Sequence, residues 1–167
     1  MKKINVKIDI TDEDRNLAEY YAILRNKPMQ GSRSIVSKDL DIQYHTSGCI
    51  GEIAVRKYLG LDLILPVNTF KNAPDLYWQD NWVEVKSSRT GWFNVKLTEK
   101  EDQEAILVSN FEIQKYCLIL CSLPMSEFKS IAIQYGRPNY WSGSTKICGY
   151  RLRYQDLKYY CALKSQD

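Results

Sequence analysis

The chain has 167 residues and a mass of 19.5 kDa, and 44% of its residues are hydrophobic and 26% charged. These values are ordinary for a globular protein of one domain, and they exclude a disordered chain, a collagen-like repeat and a coiled coil. The 23 basic and 20 acidic residues leave a formal net charge of +3, which is too small to identify a partner by itself. No apolar run approaches the roughly 20 residues that span a membrane. The first residues also lack the apolar block of a signal peptide, so we expect a cytoplasmic protein without a membrane partner.

The N-terminal part predicts a strand, a helix and a long connection. Hydrophobic and polar residues alternate over Lys3–Ile10, which is typical of a half-buried strand. Thr11 and Asp14 have the spacing of a capping box at the start of a helix that ends near Lys27. Residues 28–45 contain Pro, Gly and several Ser residues and predict a connection, and loops of that length are often functional.

The middle of the chain predicts a helix followed by three strands. Ser47 is the expected N-cap of this helix and Gly60 its expected end. Three segments of strand length follow, and they are Leu61–Val67, Asp75–Trp78 and Trp82–Ser88. The last two flank a tight turn at Asp80 and Asn81, so we expect them to form a hairpin.

The remaining residues predict a helix and further strands. The segment Leu97–Asn110 predicts a helix, because its acidic residues lie in the first turns, where the helix dipole favours negative charge. Tyr116–Leu123 is a nearly continuous apolar run, as expected of a strand buried on both faces. Ser130–Gln134 predicts another strand. From residue 47 the order is helix, strand, strand, strand, helix, strand, which indicates an α/β fold.

The predicted hairpin places charged side chains on one face. A two-residue turn pairs Tyr77 with Glu84 and Asp75 with Lys86, and directly paired residues share a face. The opposite face is apolar and consists of Leu76, Trp78, Val83 and Val85. A slip of one residue on one strand would mix the two sets, so the hydrophobic pattern itself selects these faces.

Two carboxylates and an ammonium group on one face suit metal-assisted hydrolysis of a phosphodiester. Mg²⁺ prefers oxygen ligands and usually takes one or two carboxylates together with water and substrate phosphate. The candidate ligands are Asp75, Glu84 and the backbone carbonyl of Val85. Such an ion lowers the pKa of a bound water. We expect Lys86 beside it to have a lowered pKa and to orient or deprotonate the water, or to offset phosphate charge.

Glu52 is a third candidate carboxylate, on the helix before the hairpin. Gly48, Gly51, Glu52 and Val55 share one side of that helix. Each glycine costs roughly 1 kcal/mol of helix stability relative to Ala, which close approach of the backbone to a strand or a substrate would explain. Glu52 then reaches the carboxylate face as a ligand or as a holder of water. The alternative is an exposed ion pair with Arg56, four residues later.

The segments Pro74-Asp75 and Glu84-Val85-Lys86, in the predicted order α-β-β-β-α-β, resemble the PD-(D/E)xK phosphodiesterase superfamily. The resemblance covers residues 46–122 and is greatest to small phage-encoded nucleases with a Gly-Glu helix before the motif. It implies a restriction-endonuclease-like core, in which a mixed central sheet is flanked by helices. The single domain 1–167 then comprises an N-terminal strand-helix extension (1–45), a catalytic core (46–122) and a strand-rich C-terminal extension (123–167).

The resemblance also implies a role for each motif residue. Asp75 and Glu84 would bind Mg²⁺, for which Mn²⁺ is expected to substitute. Lys86 would be the catalytic lysine. Glu52 would correspond to the acidic residue that many members carry on the preceding helix.

Several polar residues near the motif are candidates for DNA contact. Ser87, Ser88 and Arg89 directly follow the motif lysine and can hold a neighbouring phosphate, or they form an ordinary polar turn. His45 is the only histidine, and Arg33 lies in the long connection. His45 is a candidate for phosphate contact or proton transfer, and the plainer interpretation is a helix cap or local packing. Arg33 is a candidate for a loop that closes over DNA, and the plainer interpretation is a solvated loop.

Aromatic and basic residues in the C-terminal half are candidates for base stacking and backbone contact. Trp92 and Trp141 flank basic residues and can stack on bases. Arg151 and Arg153 alternate with Leu152 and a tyrosine, which predicts a strand with a basic face. That face is either a track for a DNA backbone or a solvated edge that protects against aggregation.

Together these patterns predict a Mg²⁺-dependent DNA endonuclease in the cytoplasm, or in the host cytoplasm if a phage encodes it. One active site per chain and two strands to cut favour a homodimer. The first alternative is a catalytically silent DNA-binding or architectural module of the same fold. The second is a structural or interaction protein whose hairpin carries only ion pairs, such as a pair between Asp75 and Lys86 on an exposed hairpin. Two carboxylates without a metal ion would repel phosphate, which argues against the silent module.

Overall fold

The computed structural model describes residues 1–25, 38–67, 74–110, 115–138 and 145–163. The helices in these ranges are α1 (Asp12–Arg25), α2 (Lys38–Leu59), α3 (Met125–Ile131) and α4 (Tyr154–Leu163). The strands are β1 (Lys2–Asp9), β2 (Leu76–Trp78), β3 (Asn81–Ser88), β4 (Trp92–Lys96), β5 (Glu104–Ser109), β6 (Tyr116–Pro124), β7 (Ile133–Pro138) and β8 (Thr145–Arg153). The protein is therefore mixed α/β, as the sequence predicts.

The described strands form two sheets. The large sheet has the order β1-β6-β5-β3-β2. In it β3 and β5 are parallel, and the other neighbouring pairs are antiparallel. The small sheet is antiparallel and has the order β4-β8-β7. Because β4 belongs to the small sheet, the chain leaves the large sheet after β3 and returns to it as β5.

Both faces of the large sheet are covered. In β5, Ile106 and Val108 pack in a core with α1 and α2, whereas Ala105 and Leu107 pack with the small sheet, α3 and α4. Alternate residues of a strand point to opposite faces, so the two cores lie on opposite sides of the large sheet. Within the described ranges no helix is both long and apolar enough to cross a membrane.

The N-terminal strand and helix agree with the sequence. β1 is the edge strand of the large sheet and pairs with β6. The capping box at the start of α1 is confirmed. The Asp14 N–H donates to Thr11 Oγ1 at 3.2 Å, and the Thr11 N–H donates to Asp14 Oδ2 at 2.8 Å. Lys57 of α2 also donates to Asp14 Oδ2, at 2.6 Å, so this carboxylate joins the two helices.

We expect Asp14→Asn to lower the free energy of unfolding by about 1.5–3 kcal/mol at neutral pH, the range for a hydrogen bond to a charged group. Burial raises the pKa of Asp14, but hydrogen bonds from Lys57 and Thr11 outweigh burial and hold the pKa below its ordinary value. The stabilisation is therefore present above the pKa of the unfolded chain and is lost as pH falls through the lower, folded pKa. Urea unfolding at several pH values should show the two proteins converging in acid, and an equal difference at every pH would contradict this role.

α2 begins upstream of its predicted N-cap. The helix starts at Lys38, so residues 38–45, which we expected in the long connection, are helical. Ser47 lies inside the helix, where its hydroxyl and its carbonyl accept hydrogen bonds from Asn110 Nδ2 at 2.8 and 3.1 Å. A tertiary contact therefore satisfies the side chain that suggested a cap. Gly60, whose φ is 68°, follows the end of the helix as predicted.

Three predicted elements differ from the structure. Leu61–Val67 is irregular instead of a strand, and its Pro66 carbonyl accepts hydrogen bonds from Arg25. Leu97–Asn110 forms turns and then β5 instead of a helix. The reason is that its apolar run is buried on both faces, like a central strand, while Glu99, Glu101 and Asp102 lie in the turns before it. Ser130–Gln134 is divided between the end of α3 and the start of β7.

The hairpin forms with a different register from the predicted one. It turns at residues 79–80, where both φ angles are positive, as in a two-residue type I′ turn. The ladder pairs Tyr77 with Trp82, which displaces the predicted pairing by two residues. Because side chains alternate with a period of two, both faces remain as predicted. The displacement brings Asp75 beside Glu84 instead of opposite the motif lysine.

Candidate active site

β3 and the bend before β2 bring the motif residues together. Glu84 is only 8% exposed, and its Oε2 lies 3.1 Å from Lys86 Nζ. Asp75 Oδ2 accepts a hydrogen bond from the Val85 N–H at 2.7 Å. The two carboxylates, the Val85 backbone and the ammonium group therefore lie in one place, between the large sheet and the layer that covers it.

Sequence reasoning missed a further member of this group, Glu99. It lies in the turns after β4, where Glu99 Oε1 is 2.8 Å from Lys86 Nζ. Glu99 Oε2 is buried and has no hydrogen-bond partner among the described residues. The Glu99 carbonyl accepts a hydrogen bond from Lys129 Nζ at 2.7 Å, which anchors the turn to α3. We call Asp75, Glu84, Lys86 and Glu99 the charged cluster.

The partners of Lys86 differ from those of a surface ion pair. Among the described residues its salt bridges are to Glu84 and Glu99, and its side chain is 15% exposed. The alternative of an exposed hairpin with an Asp75–Lys86 ion pair is therefore wrong. The physical reason is that the turns after β4 cover the face of β3 that carries Lys86. These turns supply a second carboxylate, that of Glu99.

Burial determines the direction of the pKa shifts of two carboxylates in the charged cluster, whereas the ion pairs determine that of the lysine. It raises the pKa of Asp75 to about 6, and the charge of Glu52 adds to this effect. Burial also raises the pKa of Glu84 to about 7, although Lys86 opposes it. For Lys86, burial lowers the pKa, but Glu84 and Glu99 outweigh burial and raise it. We expected a lowered pKa for this lysine beside a metal ion, whereas between two carboxylates it is held as an ammonium group.

Glu52 is buried on α2 and has a partner that its sequence neighbours do not suggest. Arg25 of α1 donates two hydrogen bonds, from Nη1 to Glu52 Oε1 at 2.5 Å and from Nη2 to Glu52 Oε2 at 2.8 Å. The alternative pair with Arg56 is wrong, because Arg56 donates to backbone carbonyls, including that of Asp75 at 3.3 Å. Glu52 is thus near enough to Asp75 to raise its pKa, and Arg25 engages both of its oxygens.

The two glycines of α2 have different surroundings. A Cβ at Gly51 would lie 2.6 Å from Ser87 Cβ on β3, so this glycine permits close packing of the helix on the strand. A Cβ at Gly48 would meet nothing within 4 Å. The sequence suggested that the glycines allow the helix backbone to approach either a strand or a substrate. Close approach to a strand therefore explains Gly51 and not Gly48.

We expect Gly51→Ala to lower the free energy of unfolding by about 1–3 kcal/mol, because the added methyl group overpacks the contact with Ser87. Gly48→Ala is the matched control, since it makes the same change on the same helix in open space. It should raise the free energy of unfolding, by up to about 1 kcal/mol, through helix propensity. Urea unfolding of the two variants measures both values, and equal effects would show that the Ser87 contact is unimportant.

An open cleft of about 310 Å³ adjoins the charged cluster. We call it the Lys86 cleft, and its lining residues are 47, 48, 85–90, 92 and 94. Trp92 therefore reaches the cleft, and Arg151 and Arg153 lie on β8, confirming the predicted strand. The other tryptophan considered for stacking, Trp141, lies outside the described residues.

The residues that we considered for DNA contact differ in their exposure and in whether they line the Lys86 cleft. Arg89 is exposed at the Lys86 cleft. Ser87 Oγ donates to the Ser47 carbonyl at 3.3 Å, and Ser88 is buried, with no partner for its hydroxyl among the described residues. His45 is exposed on α2, away from the cleft lining, and Arg33 lies outside the described ranges.

The donor set fits a hard divalent cation. Asp75 and Glu84 offer carboxylate oxygens, and the N–H of Val85, the residue after Glu84, donates to Asp75 Oδ2. In the part of the chain that the structure describes, no group of three or more His, Cys, Asp or Glu side chains is arranged to hold a metal ion. Oxygen donors such as these carboxylates are the ligands that Mg²⁺ prefers, and Mg²⁺ usually keeps several waters and takes few protein ligands. No family model, no curated protein and no solved structure matches this chain.

Proposed function

We propose that this protein is a metal-dependent DNA endonuclease of the PD-(D/E)xK type. The observation that supports this best is the convergence of Asp75, Glu84 and Lys86, of which Glu84 is buried and the other two half-buried, beside an open cleft. Buried carboxylates with raised pKa values next to a specific charged partner are typical of functional sites. The mixed sheet with helices is compatible with the α/β class of such nucleases. The expected order α-β-β-β-α-β differs from the structure, in which the five strands β2–β6 follow α2 and the parallel strands β3 and β5 are connected through β4.

In the proposed mechanism, Asp75, Glu84 and the Val85 carbonyl would hold Mg²⁺ or Mn²⁺. Such an ion would supply Lewis-acid stabilisation of the phosphate and a water of lowered pKa. Lys86 would orient the attacking water or offset the charge that builds on the phosphate. Glu99, 2.8 Å from Lys86 Nζ, would keep the ammonium group in position while Glu84 served as a ligand.

Two other groups support the reaction from the edge of the cluster. Glu52, which Arg25 holds through both oxygens, acts on Asp75 through its charge instead of as a ligand. Arg89 is exposed at the cleft and is suited to hold a phosphate next to the one that is cut. Two such sites in a homodimer would cut both strands of a duplex.

A catalytically silent DNA-binding module is the second candidate function. It is favoured by the engagement of both Glu52 oxygens by Arg25, which leaves two carboxylates for a metal ion instead of three. Such a module would bind DNA equally well in EDTA and would never cut it.

Cleavage of supercoiled plasmid in Mg²⁺, Mn²⁺, Ca²⁺ or EDTA distinguishes the two functions. We expect nicking in Mg²⁺ and Mn²⁺ and none in EDTA. Retention of plasmid in a gel-shift assay without nicking under any condition would favour the silent module. Nicking that persists in EDTA would contradict the metal site.

A further inference from the structure

The small sheet carries half-buried aromatic and exposed or half-buried basic side chains on the side opposite its core. β4 and β8 pair Trp92 with Arg153 and Asn94 with Arg151, so these side chains share one face. The intervening residues Phe93, Val95 and Leu152 pack in the core on the other side. We call the outer set the stacking face, and it consists of Trp92, Asn94, Lys96, Tyr135, Arg151 and Arg153.

The stacking face is held together by contacts between guanidinium groups and rings. The Arg151 guanidinium carbon lies 5.2 Å from the centroid of the Trp92 ring and 4.7 Å from that of Tyr135. Arg151 Nε also donates to Asn94 Oδ1 at 2.9 Å. Arg153 lies 5.7 Å from the Trp92 centroid. Planar groups therefore follow one another across all three strands of the small sheet.

The stacking face is continuous with the candidate active site. Trp92 and Asn94 belong to the face and also line the Lys86 cleft. Lys96 and Arg153 are exposed, and Arg151 is half-buried. A polynucleotide that lies on the face therefore has a direct route into the cleft.

We propose that the stacking face binds unpaired nucleotides, so that the substrate is DNA with a single-stranded segment beside the phosphodiester that is cut. Unpaired bases expose the faces that stack on aromatic rings and guanidinium planes, whereas the bases of a duplex are already stacked on one another. Lys96, Arg151 and Arg153 provide positive charge for the phosphates between those bases. This inference rests on the proposed function for the cutting step alone, because binding to the face needs no metal ion.

Binding of a fluorescein-labelled oligothymidylate of 12 nucleotides in EDTA tests the inference without cleavage. We expect Trp92→Leu to weaken this binding by about five- to a hundredfold, the effect of losing one stacked base. Arg151→Gln, a milder change on the same face, should weaken it in the same direction. Trp82→Leu is the matched control, because Trp82 is 53% exposed and packs on Tyr77 at the hairpin, and it should leave binding unchanged. A duplex of the same length should compete weakly.

The outcomes separate this inference from the proposed function. Equal affinity for the single strand and the duplex, with no effect of Trp92→Leu or Arg151→Gln, would overturn the stacking face even if the protein nicks plasmid DNA. Binding of the single strand that depends on Trp92, without cleavage in Mn²⁺, would support the stacking face and overturn the nuclease. Tighter binding of the matched RNA oligonucleotide would overturn DNA as the ligand class.

Discussion

Lys86→Met is expected to slow metal-dependent cleavage of plasmid DNA by about 10²- to 10⁴-fold, the usual contribution of a positioned acid–base group. Lys86 is the one cation within salt-bridge distance of Glu84 among the described residues, and no second ammonium group there can replace it. Methionine keeps the length and most of the volume of the lysine stem but removes the charge. Because the carboxylates remain, the variant should still bind Mn²⁺, and the loss should appear in the rate of cleavage.

Lys100→Ala is the control for this measurement. Lys100 is exposed in the turns after β4, close in sequence to Glu99 but outside the charged cluster. We expect the cleavage rate of this variant to be within about twofold of that of wild type, because the substitution is on the surface and removes no contact of the charged cluster. Similar rates for wild type and a folded Lys86→Met variant would remove the lysine from the mechanism. Circular dichroism and the melting temperature establish that the variant is folded.

Glu84→Gln is expected to weaken Mn²⁺ binding by more than about a hundredfold. Loss of a residue that only hydrogen-bonds to a metal ligand already weakens metal binding by up to about a hundredfold, and Glu84 is proposed to be a ligand itself. The substitution keeps the shape of the side chain and removes its negative charge. Wild type should bind Mn²⁺ more tightly as pH rises from about 5.5 to 7.5, because the cation displaces protons from carboxyl groups. The range follows from the pKa values of the two proposed ligands, which are about 6 for Asp75 and about 7 for Glu84. Isothermal titration calorimetry measures both effects.

Glu101→Gln is the matched control for Glu84→Gln. Its side chain is 69% exposed and lies 3.7 Å from Lys129, in the same turns that supply Glu99. We expect Mn²⁺ affinity and its pH dependence to be unchanged in this variant. If Glu84→Gln bound Mn²⁺ as tightly as Glu101→Gln does, Glu84 would not be a ligand.

The faces of the hairpin could be predicted from the sequence because a strand has a period of two. The register of the hairpin was displaced by two residues, and an even displacement leaves Asp75, Glu84 and Lys86 on one side. The capping box at Thr11 and Asp14 was also predictable, because it depends on neighbours in the chain. Both features depend only on residues that are close together in the sequence, so the sequence pattern is enough to predict them.

The contacts that complete the site could not be predicted in the same way. Glu99 contacts Lys86 from turns that were predicted to be a helix. That prediction was wrong because acidic residues before an apolar run are typical both of a helix start and of a turn before a buried strand. Arg25 holds Glu52 across 27 positions of the sequence. Neither periodicity nor spacing encodes such a contact, because it depends on how the helices pack on each other. The stacking face likewise depends on the pairing of strands β4 and β8, which are far apart in the chain.

Locating Mn²⁺ by anomalous scattering in crystals soaked with the ion tests the metal-dependent site most directly. We predict a peak bonded to the carboxylates of Asp75 and Glu84, with Lys86 still in contact with Glu99. The same soak of Glu84→Gln crystals should give no peak at this position. A strong peak elsewhere in the wild-type protein, with Lys86 still bridging Glu84 and Glu99, would contradict the proposed active site.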